Sequence, residues 1–371
     1  MMFKNARFRN AWLLIFSLFV IGFSIKEIFN PVANTSISLF NYVPVVFGIP
    51  MLVISILCLG FEIAYLILKK ENNPVLKKIR NIVYIVIASI FTIYFIEYII
   101  LGTIQTFVTA STYKKIPEKD MFLVSTAWLL LNNYEDFLEG IGVTLSISLL
   151  GTIFGLVLAL VLALLRIMKV SDKDSEFKAF FKKIGIGFSK GYIGLFRGTP
   201  MMVQAILLYY LVPFAISQAM DIPMDTMNKI FTWFVSGLIT VTLNTTAYLA
   251  EVLRGGIESL DKGQMEAARS LGMTYPQAMI HVILPQALKN SMPSIGNEFV
   301  INIKDTSVLN VISVVDLFFV ASRIQGQTFR FNEPFFIAAC IYLILTFTTT
   351  KILSVIDKKM DIEEKPLPSA N

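Results

Sequence analysis

Long apolar runs constrain the fold of this chain more than any other feature of its sequence. A helix rises about 1.5 Å per residue, so about 20 mostly apolar residues cross the roughly 30 Å of hydrocarbon in a bilayer. Only 16% of the residues are charged, against about 25% in soluble domains. These features predict an all-α membrane protein with about eight transmembrane helices. The predicted spans are 11–28, 43–68, 82–104, 141–166, 200–219, 229–253, 291–320 and 335–356.

The first span allows two interpretations, because Lys4, Arg7 and Arg9 precede its apolar core. A basic start followed by an apolar core is also the pattern of a secretory signal peptide. No small-residue cleavage pattern follows this core, so we favour a span that is retained.

The distribution of lysine and arginine predicts the orientation of the spans. Cytoplasmic loops are enriched in these residues, and every second loop of this chain is basic. With eight spans, both termini then lie in the cytoplasm, and the chain is a multi-pass protein of the cell membrane. The basic segments contain Lys4, Arg7 and Arg9; Lys69, Lys70, Lys77, Lys78 and Arg80; Lys169, Lys173, Lys178, Lys182, Lys183, Lys190 and Arg197; and Lys358 and Lys359.

Residues with catalytic or metal-binding chemistry are few. Cys58 and Cys340 are the two cysteines and lie in apolar runs, and His281 is the single histidine. This argues against a disulfide scaffold and gives no spacing for a metal site. No G-x-x-x-x-G-K-[ST] motif occurs, because the glycine-rich segment 185–191 lacks the Gly-Lys pair. We therefore expect no metal, cofactor or ATPase site on this chain, and no nucleic-acid partner.

The segment between the sixth and seventh predicted spans is too polar to cross a membrane. A first short helix is predicted at about 263–271, with Asp261 and Glu266 near its positive N-terminal end. Glu266 can also pair with Arg269 on the next turn. Gly272 follows at the position where many helices end in a left-handed residue.

A second short helix is predicted to start at Thr274, which can cap it together with Gln277. Pro276 is tolerated in the first turn, and the helix is expected to weaken near Pro285. The two helices form either a compact knob that contacts a cytoplasmic partner or an amphipathic pair resting on lipid headgroups. The residues predicted to share the apolar face of the second helix are Tyr275, Ala278, Met279 and Val282.

Four motifs carry a resemblance to a known family. "EAA" at 266–268, followed by Gly272 and "VILP" at 282–285, resembles the EAA loop of permease subunits of binding-protein-dependent ABC importers. "FRGTPMMVQ" (196–204), "NTTAYLAEVLRGGIES" (244–259) and "LPQALKNSMPSIGNEFVINIKDTSVL" (284–309) are similar to the polar amino acid branch of that family. The resemblance covers about 140–357.

The resemblance implies a five-helix type I importer (MetI-like) permease core at 141–357, with a cytoplasmic EAA loop at 255–290. The three spans in 1–104 have no counterpart in this core and form an added module, followed by an extracytoplasmic loop at 105–140. Residues 358–371 read as a cytoplasmic tail. In the family, the EAA loop docks on a separate ATPase. The residues that the resemblance assigns to this coupling are Glu266, Ala267, Ala268, Gly272 and Pro285.

The resemblance also implies partners and an energy source. The chain would pair with itself or with a sibling permease, bind ABC ATPase subunits that hold ATP and Mg, and receive an amino acid from an extracytoplasmic substrate-binding protein. The pathway would then alternate between outward and inward access.

Ionisable residues at bilayer depth are rare and by default mark function. Glu298 and Asp305 are seven residues apart and share one helix face, whereas Lys304 faces other neighbours. Either carboxylate suits the ammonium of an amino acid, and Lys304 suits its carboxylate. The alternative is a structural ion-pair network or contacts with the cytoplasmic partner. The predicted pathway residues are Glu298, Asn302, Lys304, Asp305, Asn244, Thr245 and Tyr248.

Other polar and small residues have more than one interpretation. Asn244 and Thr245 can also serve interhelical hydrogen bonding. Pro293 and Gly296 are predicted to break the seventh segment. The glycines of "GTIFG" (151–155) have the spacing of close helix packing.

Two charged groups lie near the ends of predicted spans. Glu251 and Arg254 are predicted to form an interfacial ion pair. Arg197 either anchors the fifth span at the interface or, by the resemblance, belongs to a gate or packing contact.

Three other functions compete with this reading. The first is a secondary transporter driven by an ion gradient, for which Glu298 and Asp305 could bind the coupling ion. The second is a membrane scaffold that tethers an ATPase without transporting anything. The third is an importer permease for a different small polar solute.

Overall fold

The structure, a computed structural model, describes residues 51–60, 74–171 and 174–362, together with positions 15, 18, 20–22, 25 and 63. In these residues the regular secondary structure is entirely helical. The helices are α1 Met51–Gly60, α2 Pro74–Phe95, α3 Gly102–Thr112, α4 Phe122–Asn132, α5 Tyr134–Ile167, α6 Glu176–Gly198, α7 Met201–Ile206, α8 Val212–Met220, α9 Met224–Ile230, α10 Trp233–Glu258, α11 Lys262–Ser270, α12 Tyr275–Ala278, α13 Leu284–Asp305, α14 Leu317–Thr328 and α15 Asn332–Ile362.

Short segments of other helix types connect several of these helices. A π-helical turn has five rather than four residues between bonded groups and absorbs an extra residue without ending the helix. The π turns lie at Ile96–Leu101, Leu207–Leu211 and Met279–Ile283, and a 3₁₀ segment covers Thr306–Ile312.

The chain divides into two compact units, Met1–Leu131 and Asn132–Asn371. In the first unit, the predicted span 82–104 belongs to a longer helical segment, because α2 begins at Pro74 and helix continues to Thr112. Most of the predicted spans 11–28 and 43–68 lies outside the described residues.

The segment 105–140 differs from the loop predicted for it, because most of it is helical. The apolar sequence "FLVSTAWLLLN" forms α4, and helix is interrupted between Thr112 and Phe122 and again at Asn133. The indole Nε1 of Trp128 donates to the carbonyl oxygen of Tyr113 at 3.0 Å and fastens this connection. Because the segment as a whole is of mixed polarity, its sequence pattern predicted a loop and not this short apolar helix.

The second unit contains the helices with the length and composition of membrane spans. Among the described residues, three helices meet that test: Tyr134–Ile167, Met201–Met220 and Asn332–Lys359. Two bent pairs raise the number to five if each is one span: Met224–Ile230 with Trp233–Glu258, and Tyr275–Ile312 with Leu317–Thr328. These five correspond in order to the five spans predicted after residue 140. The total of eight is not established.

Apolar residues on the outside of the second unit fit a lipid environment. α5 exposes Leu149, Val157 and Val161, and α15 exposes Leu343 and Phe347. In water such a surface would mark an interaction site, whereas in a bilayer it meets hydrocarbon. Buried polar side chains such as Thr245 and Asn302 lie in the interior of the unit.

Close packing of α5 against α10 forms the core of the second unit, as the glycine spacing predicted. A Cβ added to Gly151 would lie 2.6 Å from Cγ1 of Val241, and one added to Gly155 would lie 3.0 Å from Cγ2 of Thr245. Without side chains at these two positions, the helix backbones approach closely and gain dispersion contacts. Ala159 and Ala250 continue the seam and are fully buried.

The seventh predicted span, 291–320, is not a single helix in the structure. α13 runs unbroken through Pro293 and ends at Asp305. A proline removes only one backbone donor, and the turns on either side retain their bonds. Gly296 serves packing, because a Cβ there would lie 3.2 Å from the side chain of Leu353. The predicted break at Pro293 and Gly296 is therefore wrong, and the helix ends after Asp305.

Candidate functional site

A cavity of about 540 Å³ opens among α6, α7, α10 and α13. Its size falls in the range of small-molecule sites, and its walls carry both charged and apolar groups. The residues that line it are Arg197, Gly198, Thr199, Pro200, Met201, Asn244, Tyr248, Glu298, Ile301 and Asp305.

A break in the helical chain at Thr199–Pro200 builds one wall of this cavity. Proline disfavours helical geometry in the residue before it, and Thr199 is extended with φ −123° and ψ 145°. Pro200 is extended as well and starts the next helix at Met201. The break turns Arg197 and the backbone of Gly198 toward the cavity.

Hydrogen bonds fix this break to α10. The buried amide of Gln204 donates to the carbonyl oxygens of Phe196 and Thr199 at 2.9 and 3.0 Å. Asn244 on α10 in turn donates to Oε1 of Gln204 at 3.0 Å. A carbonyl group left without a helical partner is thereby satisfied inside the protein, and the cavity wall is held in one position.

Charges of opposite sign line the same space. The guanidinium of Arg197 lies 5.2 Å from the ring centroid of Tyr248, within cation–π range. Glu298 and Asp305 on α13 supply carboxylates to the lining. A zwitterion needs one cationic and one anionic partner, and this cavity offers both.

Three predicted pathway residues lie outside the cavity lining. Lys304 is exposed. Asn302 and Thr245 are buried and bonded to each other, with Asn302 Nδ2 donating to Oγ1 of Thr245 at 3.0 Å and to Oγ1 of Thr152 at 2.9 Å. These bonds join α5, α10 and α13, which is the interhelical alternative that the sequence had left open for Thr245.

Sequence reasoning did not place Arg197, Thr199 or Gln204 among the site residues. The signal was present in "RGTP", because a threonine before a proline in an apolar region indicates a broken helix. Broken helices inside membranes free backbone groups that line cavities. The cavity lining contains the cation Arg197, whereas Lys304, the cation predicted for the pathway, is not among the lining residues.

The loop between α10 and α13 has the two short helices predicted from its sequence. α11 covers Lys262–Ser270, and Oδ1 of Asp261 accepts from the backbone amide of Gly263 at 2.8 Å. Gly272 follows with φ +87°, a left-handed value that favours glycine. The backbone amide of Met273 returns to the carbonyl of Ala268 at 3.2 Å and closes the turn.

The second helix begins at the predicted cap. The backbone amide of Thr274 donates to Oε1 of Gln277 at 2.8 Å. Past Ala278 the chain makes a π turn at Met279–Ile283 and continues directly into α13, with Pro285 in its first turn. Pro285 therefore does not end a helix. Proline has no backbone N–H to donate, and this missing donor falls in the first turn of α13, directly after the π turn, where the regular α-helical hydrogen bonds are already interrupted.

Most of the residues that the resemblance assigns to coupling are exposed on this loop. Glu266, Ala267 and Gly272 are exposed, and Leu271 is 83% exposed at the apex. Ala268 points inward and is 4% exposed. His281 is exposed too, with Nδ1 3.0 Å from the carbonyl oxygen of Gln277.

An ion-pair network ties α5 to the end of α10 beside the loop. Arg254 contacts Glu251 at 2.8 Å and Glu258 at 2.6 Å. Glu251 also lies 3.7 Å from Nε of Arg166 on α5. The ion pair predicted for Glu251 and Arg254 is confirmed as part of this larger network.

A polar cavity enclosed by helices whose outer faces suit lipid defines a membrane transport component. The family model for the inner membrane component of binding-protein-dependent transport systems matches residues 177–362. The chain belongs to this family, and the resemblance found in its sequence is confirmed.

Curated relatives agree with this family. A putative glutamine transport system permease of Rickettsia typhi is 37% identical over 173 residues, which are 47% of this chain and 74% of the relative. An arginine transport system permease of Bacillus subtilis is 34% identical over 223 residues, which are 60% of this chain and 91% of the relative.

Solved structures share the fold. A crystal structure of an amino acid ABC transporter with histidines aligns with a TM-score of 0.51 and 35% identity, covering 62% of this chain and 96% of that one. The methionine ABC transporter MetNI, in an inward-facing conformation, aligns with a TM-score of 0.50 at 15% identity, over 62% of this chain and 98% of that one. The second likeness concerns the fold alone. The all-α, MetI-like fold predicted from the sequence is confirmed.

Proposed function

We propose that this chain carries polar amino acids across the cell membrane into the cytoplasm, as the permease subunit of an ABC importer. Its family membership supports the transport role, and relatives described as glutamine and arginine permeases support the substrate class. The observation that carries the substrate class is the cavity in which Arg197 lies on one wall while Glu298 and Asp305 lie on another.

The amino acid binds by charge complementarity in this proposal. Its carboxylate pairs with the guanidinium of Arg197, and its ammonium pairs with Asp305 or Glu298. Charge-assisted hydrogen bonds are roughly twice as strong as neutral ones, and such bonds orient a small zwitterion. Tyr248 and Asn244 add an aromatic face and an amide for the rest of the solute. The Asn302–Thr245 pair supports the cavity wall from behind.

The energy for alternating access comes from a separate ATPase that holds ATP and Mg and docks on the loop at 255–290. The exposed Glu266, Ala267 and Gly272 form the contact surface, whereas the buried Ala268 lets the loop pack closely beneath it. Pro285 begins α13 and so joins the loop to the wall that carries Glu298 and Asp305.

The family supports the core and the partners of this assembly, and the alternation of basic loops supports its orientation. We place the importer core at 141–357, its N-terminal module at 1–104, and both chain termini in the cytoplasm. A second permease subunit completes the pathway, and a substrate-binding protein delivers the amino acid from outside.

Asp305→Asn tests the assignment of the cavity. Uptake of the transported amino acid into proteoliposomes, driven by ATP through the partner ATPase, is expected to fall on the order of tenfold because a charge-assisted contact is lost. Co-purification of the ATPase is expected to stay unchanged.

Lys304→Gln is the matched control, because it changes the charge of the neighbouring residue outside the cavity lining and is expected to retain uptake. Equal losses in both variants, or normal uptake by Asp305→Asn together with normal uptake by Glu298→Gln, would contradict the cavity as the pathway.

A further inference from the structure

α6 has the character of a helix that lies at the membrane–water boundary. Phe177, Phe181, Ile184 and Phe188 follow one another at intervals of four, three and four residues and are all exposed, with Phe177 exposed by 74%. This spacing places them on one face of the helix. Lysines occupy other positions of the same helix, as in amphipathic helices at the surface of a bilayer. The start of α6 therefore marks the level of the lipid headgroups.

A second cavity, of about 530 Å³, lies at this level. The end of α5, the start of α6 and the helix α12 with its π turn enclose it. Its wall is mostly apolar, and ammonium groups lie among the lining side chains. The lining residues are Leu164, Ile167, Met168, Lys169, Lys178, Lys182, Tyr275, Pro276, Met279 and Ile280.

The charge around this cavity is positive. Three lysines line it: Lys169, Lys178 and Lys182. Asp174 lies beside them, 2.5 Å from Nζ of Lys182 and 3.4 Å from Nζ of Lys178. The hydrogen bond from Lys182, together with one from the backbone of Ser171, lowers the pKa of Asp174 to about 2. Its carboxylate is therefore charged at neutral pH, and the three lysines exceed it by two positive charges.

We propose that this second cavity binds an anionic phospholipid of the cytoplasmic leaflet. The phosphate pairs with the ammonium groups of Lys169 and Lys178, and an acyl chain lies against Leu164, Ile167 and Met279. Basic pockets between helices on the cytoplasmic side of a membrane suit anionic headgroups, and the apolar wall suits a chain that a free phosphate lacks. A zwitterionic headgroup carries its own cation and gains less from the lysines.

The site goes beyond the transport proposal, because one of its walls belongs to the loop that we assign to the ATPase. Tyr275 and Pro276 lie in the first turn of α12, and Met279 starts the π turn that leads into α13. A bound lipid packs between this turn and α5. It therefore makes the position of the loop depend on the lipid composition of the membrane.

Native mass spectrometry of the purified full-length chain tests lipid binding. The detergent-solubilised protein is titrated with phosphatidylglycerol and, separately, with phosphatidylcholine. We expect phosphatidylglycerol to remain bound to the protein and phosphatidylcholine to bind on the order of tenfold more weakly. Equal retention of the two lipids would overturn the proposal, as would displacement of phosphatidylglycerol by millimolar inorganic phosphate.

Matched double variants locate the site. Lys169→Gln with Lys178→Gln removes two lining charges but keeps the contact between Lys182 and Asp174, and we expect phosphatidylglycerol to bind on the order of tenfold more weakly. Lys183→Gln with Lys190→Gln removes the same charge from exposed positions of α6 outside the lining and is expected to leave binding unchanged. Equal binding by the two variants would place the lipid elsewhere and overturn the assignment.

Leu164→Trp tests the apolar part of the same site without changing its charge. The larger side chain occupies the volume assigned to the acyl chain, so phosphatidylglycerol binding is expected to fall at least about fivefold, in line with the loss of several buried CH₂ groups. Size-exclusion chromatography shows whether each variant is folded. A folded Leu164→Trp protein with undiminished binding would contradict a lipid chain in this cavity.

Discussion

Asn302 is the residue whose role the structure changes most. Its amide nitrogen donates to hydroxyl groups on two other helices, Thr152 on α5 and Thr245 on α10. All three side chains are buried, so each polar atom left without a partner would cost about 1–3 kcal/mol. The residue therefore joins three helices and lies outside the cavity lining.

Asn302→Ala is expected to lower the free energy of unfolding by about 1–2 kcal/mol, because the buried hydroxyl of Thr245 loses its partner, while that of Thr152 keeps its bond to the carbonyl oxygen of Ser148. Denaturant titration of the detergent-solubilised protein measures the change. Asn297→Ala, an exposed position on the same helix, serves as the control and is expected to be neutral. If the Asn302→Ala protein were as stable as this control but inactive in uptake, Asn302 would have to be assigned to the transport pathway.

The spacing of residues could not make this distinction. Positions 298, 302 and 305 are four and three residues apart, so all three fall within one side of an α-helix. The sequence thus predicted correctly that Glu298 and Asp305 share a face, but it grouped Asn302 with them. The tertiary packing distinguishes the three residues, because α5 and α10 cover Asn302 whereas the carboxylates of Glu298 and Asp305 line the cavity.

At the scale of whole helices, the close contact between α5 and α10 limits which substitutions the second unit tolerates without losing stability. Gly151→Ala places a methyl group 2.6 Å from Cγ1 of Val241, and overpacking of this kind costs about 1–3 kcal/mol. Thermal unfolding in detergent is expected to show that loss. Gly142→Ala on the same helix meets nothing within 4 Å and is expected to be neutral or slightly stabilising.

A second substitution makes this prediction specific to one contact. Val241→Ala removes the group that the new methyl would meet, so the double variant with Gly151→Ala is expected to be less destabilised than the sum of the single variants. Strict additivity would show that Gly151 and Val241 do not pack against each other.

The prolines show how far helix boundaries could be predicted. Pro200 ends a helix and Pro293 does not, although both lie in apolar surroundings. Pro200 follows Thr199, which is extended and whose carbonyl oxygen accepts from Gln204, and Gly198 is the last helical residue before this break. Pro293 is flanked by residues that keep their helical bonds. Sequence alone marks both sites, and only the tertiary contacts decide between them.

At the scale of the whole molecule, one continuous stretch of chain links the cavity to the loop. Tyr248 lies ten residues before Glu258, the last residue of α10, which is about 15 Å along a helix. After the loop, α13 begins at Leu284 and carries Glu298 and Asp305. A force applied to the loop therefore acts on both walls of the cavity through helices. Ion pairs among Arg166, Glu251 and Arg254 also join α5 to the end of α10.

Glu266→Lys tests this connection at its exposed end. The substitution reverses a charge on the surface assigned to the ATPase, and a like-charge contact in an interface costs several kcal/mol. ATP-dependent uptake and co-purification of the ATPase are both expected to fall on the order of tenfold or more, with no change in thermal stability, because the residue is exposed.

Asp225→Lys makes the same charge change on α9, away from the loop, and is expected to leave ATPase binding intact. The pair separates this mechanism from transport driven by an ion gradient. A self-sufficient transporter would keep its uptake when Glu266 is reversed, because it needs no motor at the loop. If Glu266→Lys lost its ATPase but still accumulated amino acid at the normal rate, the loop would have no part in supplying energy.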